Sequence, residues 1–348
     1  MKKYFFLLAL FHLFCFHQFR LFAQENKPKN IILLVVPGFG YGHFSIINEE
    51  MKGNSAFVKL EKTGIIRPSP EVIKSPASTS ILATGFVSSS KSSGFDEKGN
   101  KVETLLEMAA ISKRAVGIIS SASITFPVNA VFYAHQKNLN NEEQIAAELF
   151  DLKPELVIAA GIKKFKERTD NRDLILEFRK EGYKIIDEKK DFEKGSQLKT
   201  IVLFSSEHLE KAPLRGDFYV KAFQKAFKTL VKNDKGYFML ITFPQLEWAC
   251  QENNPDHLKA ELTDLNQLIE KILLFAKNDS ETLLLIVSEK ESGGVSMVND
   301  GKNNIKFSAK SSTPMLVPVF ANGPGSENFS SFFQINEFFL KLGNLIIR

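Results

Sequence analysis

The chain has 348 residues, 44% hydrophobic and 24% charged, a globular composition long enough for one large domain or two modest ones. Its 45 basic and 40 acidic side chains give a net charge of +5 and are mixed along the chain, without the clustered Lys/Arg stripes of a nucleic-acid footprint, so nucleic acid is not expected as a partner. Histidine occurs only at His12, His17, His43, His135, His208 and His257, which bounds any function that needs a cluster of imidazoles.

In chain order, Lys2-Lys3, an apolar run over residues 4–16 and Leu21-Phe22-Ala23-Gln24 read as a secretory signal peptide, residues 1–24. That leaves 25–348 as one domain. The apolar run is interrupted by His12 and short for a bilayer, so no stable membrane anchor is expected after cleavage; a retained anchor is the alternative. Cys15 lacks the small residue before it that a lipoprotein signal would place there. With the segment removed, Cys250 is the remaining cysteine, which excludes an internal disulfide and a thiolate-rich metal site. The expected location is secreted or periplasmic.

Residues 30–36 form an apolar run, Asn30-Ile31-Ile32-Leu33-Leu34-Val35-Val36, followed by the glycine turn Pro37-Gly38-Phe39-Gly40. Such runs suit strands buried on both faces, and others follow at 116–119, 156–160, 200–204, 237–242, 282–287 and 316–320. Amphipathic segments at 101–111, 141–150, 173–180, 217–232, 258–277 and 334–342 predict helices between them. The Phe-rich stretch 329–339 reads as a helix on the sheet edge. Strands alternating with helices predict an α/β fold, a three-layer α/β/α sandwich with a mainly parallel central sheet. Ligands in such a sheet sit beyond the carboxyl ends of the strands, in the loops that follow them.

Those loops resemble the alkaline phosphatase family, in that family's order. Residues 30–40 are similar to its first metal-site loop. Lys74-Ser75-Pro76-Ala77-Ser78-Thr79-Ser80-Ile81-Leu82-Ala83-Thr84-Gly85 resembles the nucleophile segment, in which Asp-Ser-Ala precedes a helix ending in Ala-Thr-Gly. Ser93-Gly94 through Val102-Glu103-Thr104-Leu105-Leu106-Glu107 and Ala130-Val131-Phe132-Tyr133-Ala134-His135 follow the same pattern. Gly236-Tyr237-Phe238-Met239-Leu240, residues 282–294 and Val317-Pro318-Val319-Phe320-Ala321-Asn322-Gly323-Pro324-Gly325 complete it. The resemblance implies that family's sheet and, as its activity, phosphomonoester hydrolysis with two zinc ions and one magnesium ion. Paired metals activate the serine and stabilise the leaving oxygen, zinc taking His and Asp, magnesium taking oxygen ligands, while an arginine forks onto the phosphate.

Carried over position by position, the nucleophile falls on Ser75, preceded by Lys74 instead of aspartate. The metal-bridging aspartate falls on Pro37, the magnesium-side positions on Phe126 and Val128, and the phosphate arginine on Leu139. Against the family's Glu-Gly-Gly-x-Ile-Asp-x-Ala-x-His, residues 242–251 put Thr242 at the magnesium glutamate, Glu247 at a zinc aspartate and Gln251 at a zinc histidine. Against Ala-Asp-His-Glu-Thr-Gly-Gly, residues 288–294 put Glu289 and Lys290 at the second zinc pair; the last zinc histidine falls at Ser311 or Ser312. No zinc-ligand histidine survives, so neither zinc nor magnesium is expected as a cofactor.

Ser75-Pro76 also reads as a helix N-cap pair, a role that needs no chemistry, although a helix start there would suit an anion. Glu247 and Glu289 could hold a hard cation as remnants of the site, but Lys290 supplies a positive charge of its own. Lys290 is expected to pair with Glu247 or Glu289 in place of a metal, against the alternative of a solvated loop lysine. His135 is expected to be a packed histidine, and Cys250 an inert, partly buried thiol whose pKa Glu247 and Glu252 raise. The reading is a secreted pseudophosphatase that binds an anionic ligand or another protein. An active phosphomonoesterase using Ser75 with a non-standard metal site is the alternative.

Overall fold

The computed structural model describes residues 27–70, 78–86, 91–188, 191–192, 197–277, 279–298 and 304–347. The proposed signal segment and Ser75 lie outside these residues. Among the described residues fourteen strands are present: β1 (Asn30–Val35), β2 (Lys62–Arg67), β3 (Ala115–Ser123), β4 (Leu156–Ala160), β5 (Lys184–Ile186), β6 (Thr200–Leu203), β7 (Tyr237–Thr242), β8 (Thr282–Val287), β9 (Glu291–Ser292), β10 (Val295–Val298), β11 (Asn304–Phe307), β12 (Ser312–Thr313), β13 (Val317–Asn322) and β14 (Phe332–Gln334). Ten of them make one sheet in the order β14-β2-β13-β8-β1-β7-β3-β4-β6-β5. Neighbours run parallel except β13, which is antiparallel to both β8 and β2.

Every residue of β1, β3, β4, β7 and β8 is buried, as expected for strands covered on both faces. Because side chains alternate across a strand, Ile31, Leu33 and Val35 enter one core while Ile32, Leu34 and Val36 enter the other. Helices α1 (Tyr41–Glu50), α2 (Ser80–Thr84), α3 (Leu105–Ile111), α4 (Pro127–Ala130), α5 (Glu142–Leu152), α6 (Leu174–Lys180), α7 (Phe218–Leu230), α8 (Gln245–Gln251), α9 (Pro255–Ala276) and α10 (Ile335–Ile346) cover the two faces. The first core takes α2, α3, α5, α6 and α10, the second α1, α7, α8 and α9. This is the three-layer α/β/α sandwich that the alternation of elements predicts. No helix of the described residues is long and apolar enough to cross a membrane.

The Phe-rich tail differs from the expectation of a single helix. Residues 326–329 form a 3-10 turn, β14 adds to the sheet beside β2, and only then does α10 begin. The run Phe332-Phe333-Gln334 alternates exposed, buried, exposed, a period of two that a reading for overall apolarity overlooks.

Local signals fix the helix starts. Thr104 accepts from the Glu107 amide at 3.3 Å while Glu107 accepts from the Thr104 amide at 2.8 Å, a reciprocal cap for α3. Asn254 caps α9 ahead of Pro255. The parallel register aligns Val35 with Thr242 and Val287, and Thr242 with Ser120, so the loops after β1, β3, β7 and β8 emerge at one edge.

Candidate functional site

A cavity of about 470 Å³ opens at that edge. Pro37 after β1, residues 126–128 after β3, α8 after β7 and Lys290 after β8 wall it in; Leu139 and Ser311-Ser312 close its sides. The structure therefore gathers Pro37, Phe126, Val128, Leu139, Glu247, Gln251, Lys290, Ser311 and Ser312, which the sequence spreads over 276 positions, around one space.

Its deepest charge is Lys290, only 6% exposed. Nζ lies 3.0 Å from Glu247 Oε1 and 3.5 Å from Glu289 Oε1, and donates to Ser78 Oγ at 3.1 Å. Ser78 and Thr79 hydroxyls donate to Glu289 Oε1 at 3.2 and 3.0 Å, and Ser292 donates to Glu247 Oε1 at 3.3 Å. Burial opposes the ammonium charge, but the two carboxylates outweigh it and hold Lys290 above its ordinary pKa. The Glu289 carboxyl is pushed up, chiefly by burial and further by Glu247, with Lys290 opposing. Its Oε2 is buried without a hydrogen-bond partner among the described residues.

Below this cluster Thr242 is sealed into the sheet edge. Its hydroxyl lies 2.8 Å from Ser120 Oγ and 2.6 Å from Asn129 Oδ1, and the Asn129 amide donates to Ser120 Oγ at 3.1 Å and to the Ser123 carbonyl at 2.7 Å. Along one wall Phe126 meets Trp248 edge to face at 5.6 Å, and His208 packs on both rings at 5.2 and 4.9 Å. His208 Nδ1 accepts from the Ser123 amide at 3.0 Å, and burial holds its pKa below the usual imidazole range.

The family model for alkaline phosphatase matches residues 29–334. The chain belongs to the alkaline phosphatase family. It is 27% identical over 313 residues to alkaline phosphatase 3 of Bacillus subtilis (strain 168), covering 81% of this chain and 66% of the relative. Alkaline phosphatase 4 of the same organism is 26% identical over 81% of this chain and 65% of its own length. The chain thus spans just under two thirds of the length of these two relatives. The alkaline phosphatase structure from the Antarctic bacterium TAB5 superposes with a TM-score of 0.85 at 27% identity, covering 93% of this chain and 99% of that one.

Membership makes the donor chemistry of the cavity a test of fit to zinc and magnesium. Pro37, Phe126, Val128 and Leu139 bring no side-chain donor atoms to the cavity, and Thr242 is consumed by Ser120 and Asn129. Glu247 and Glu289 converge on the ammonium of Lys290, and Gln251 offers an amide where zinc takes imidazole. Among the described residues no group of three or more His, Cys, Asp or Glu is arranged to hold a metal ion. The residues present do not fit the alkaline phosphatase metal set.

Ser75 and Lys74 lie outside the described residues, which include Ser78 and Thr79 at the start of α2. His135 stands away from the cavity, its Nε2 2.9 Å from the Val102 carbonyl and its ring between Glu107 and Glu148. Cys250 requires a correction: it is fully buried, not partly, and Glu291 with Glu247, not Glu252, adds to the burial that raises its pKa. Its partner is His43. The Gly40 amide donates to His43 Nδ1 at 3.1 Å, leaving Nε2–H to face Cys250 Sγ at 3.1 Å. Sequence reasoning also passed over Arg215, whose guanidinium pairs with Glu261 at 2.5 Å and Asp264 at 2.7 Å and donates to Gln245 Oε1 at 3.1 Å, anchoring the first turn of α8. The available signal was a lone arginine between Leu214 and Gly216 in a loop, opposite the Glu261/Asp264 pair spaced i, i+3 on a helix.

Proposed function

We propose that this alkaline phosphatase-family chain is a pseudophosphatase, a binding protein that keeps the family's scaffold and has replaced its metal charge with Lys290. The observation that carries the reading is the Lys290 ammonium at 3.0 and 3.5 Å from Glu247 and Glu289. A lysine held there puts a positive charge between both carboxylates without a metal, and it cannot lower the pKa of a serine hydroxyl as a Lewis acid does. The apolar side chains of Phe126, Val128 and Leu139 leave the phosphate without the forked donor that would position it. A small ligand or a protein is the partner such a cavity would serve. Lys2-Lys3 and the apolar run 4–16 support export to the periplasm or beyond.

Hydrolysis of p-nitrophenyl phosphate tests the reading directly. Purified protein supplied with zinc and magnesium should show no turnover above buffer, and Ser75→Ala should change nothing. Turnover that Ser75→Ala abolishes would establish the rival, a phosphomonoesterase using Ser75 with a non-standard site.

A further inference from the structure

We infer that the cavity takes a neutral, polyhydroxylated ligand, a short saccharide, in place of a phosphate ester. This rests on the binding-protein reading and names its ligand class.

Charge comes first. The positive group inside the cavity, Lys290, is already shared by two carboxylates, and Lys310 is an exposed lysine at the rim. Among the described residues, an entering anion would meet Glu142 and Glu247, with that rim lysine to draw it. A cation fares no better. Glu247 is held by Lys290 and Ser292, and Glu142 accepts from Thr125 at 2.8 Å with Lys164 3.6 Å away. Among the described residues, Glu142, Glu247 and Lys290 of the lining already have charged partners, so none of the three is left to select an ion.

What remains is an aromatic wall beside an exposed amide and a carboxylate already paired with Lys290. Trp248 is fixed by Phe126 and His208, and the burial that lowers the His208 pKa keeps that ring uncharged at neutral pH. Glu247 and Gln251, at i and i+4, share one face of α8, and Trp248 borders the same cavity beside them. The Gln251 amide and Glu247 Oε2 have no partner among the described residues, and both border the cavity. A planar amide beside a carboxylate oxygen, flanking an indole, matches adjacent hydroxyls on a ring whose C–H face packs on the aromatic. The volume, about 470 Å³, lies in the range of small-molecule sites.

The chain has one tryptophan, Trp248, so its emission reports on this cavity alone. The protein would be titrated with maltose, cellobiose, lactose and diacetylchitobiose, and separately with inorganic phosphate and glucose 6-phosphate, with calorimetry on the same samples. At least one neutral disaccharide should shift the emission saturably and inorganic phosphate should not. Gln251→Ala, an exposed position, should keep the melting temperature and weaken sugar binding about tenfold, as losing an amide aimed at a hydroxyl does. A saturable response to inorganic phosphate, silence toward every disaccharide, or calorimetric binding without an emission change would each overturn the assignment. Phosphate release from glucose 6-phosphate, followed in the same tubes, separates the two readings. Release defeats the pseudophosphatase reading, whereas silent sugars without release defeat only the ligand class.

Discussion

Lys290 and His43 show how single buried titratable groups tie the stability of the fold to pH. Glu289 is 3% exposed, and its charge is tolerated because an ammonium and two hydroxyls face it. Removing the cation in Lys290→Met leaves two carboxylates in a shielded place and should cost about 3–5 kcal/mol at neutral pH. Burial already raises the Glu289 carboxyl, and a group with a raised folded pKa loses stability as pH climbs past its unfolded value. The Lys290→Met deficit should therefore be small near pH 4 and grow through pH 7 in denaturant melts; a deficit independent of pH would contradict the triad. His43 has the opposite sign. Burial lowers its pKa from 6.5 to about 3, so its contribution is complete above 6.5 and is lost as pH falls toward 3. Each pH unit inside that window costs roughly 1.4 kcal/mol, and His43→Phe should flatten the slope of stability against pH below 6.5 even where it lowers stability overall.

At the scale of elements, α8 matters most, because it carries Glu247, Trp248 and Gln251 into the cavity on seven residues. So short a helix has little stability of its own. Gln245 holds it: its side-chain amide donates to the Leu209 carbonyl at 2.9 Å, while Arg215 grips Gln245, Glu261 and Asp264 together and lies over the Tyr219 and Phe243 rings. Arg215→Leu should cost about 3–5 kcal/mol by leaving Asp264 buried and unpaired and Glu261 with only the Ala212 amide and His257 beside it. It should also change Trp248 emission, because the loop it anchors carries His208; unchanged emission would mean that α8 is held from elsewhere. The buried strands and long helices were legible because a run such as Ile31 to Val36 is apolar throughout and α7 repeats its apolar positions at helical spacing. The edge was not. In β2, Lys-Thr-Gly-Ile-Ile-Arg buries only Gly64 and Ile66, and a side chain at Gly64 would meet the Phe329 carbonyl at 2.0 Å. A position chosen for close backbone approach leaves no strand signal. Helix α1 is masked in the same way by Gly42, where a Cβ would lie 1.9 Å from the Val295 carbonyl.

Across the whole molecule, two cores on either side of a ten-stranded sheet stabilise the sandwich without reference to the cavity at its edge. That separation fits a scaffold that superposes on the TAB5 enzyme with a TM-score of 0.85 and whose stability does not depend on the chemistry at its loops. The proposed substitutions at Pro37, Val128, Thr242, Gln251 and Lys290 were legible in the sequence because each would change the donor type, which a sequence records. The pairing of Lys290 with Glu247 or Glu289 was expected from their positions, and both form; the closure of Thr242 by Ser120 and Asn129 was not legible, because it depends on strand register, which is not a local property. A site that supplies its own cation needs no metal to fold, whereas a bound metal stabilises the state that binds it. Elemental analysis for zinc and magnesium after equilibration with both ions and desalting, with melting temperatures before and after chelator, tests this most directly. Replacement of the metal by Lys290 predicts substoichiometric metal and an unchanged melting temperature. One or more zinc ions retained per chain, with a melting temperature that falls on chelation, would contradict it.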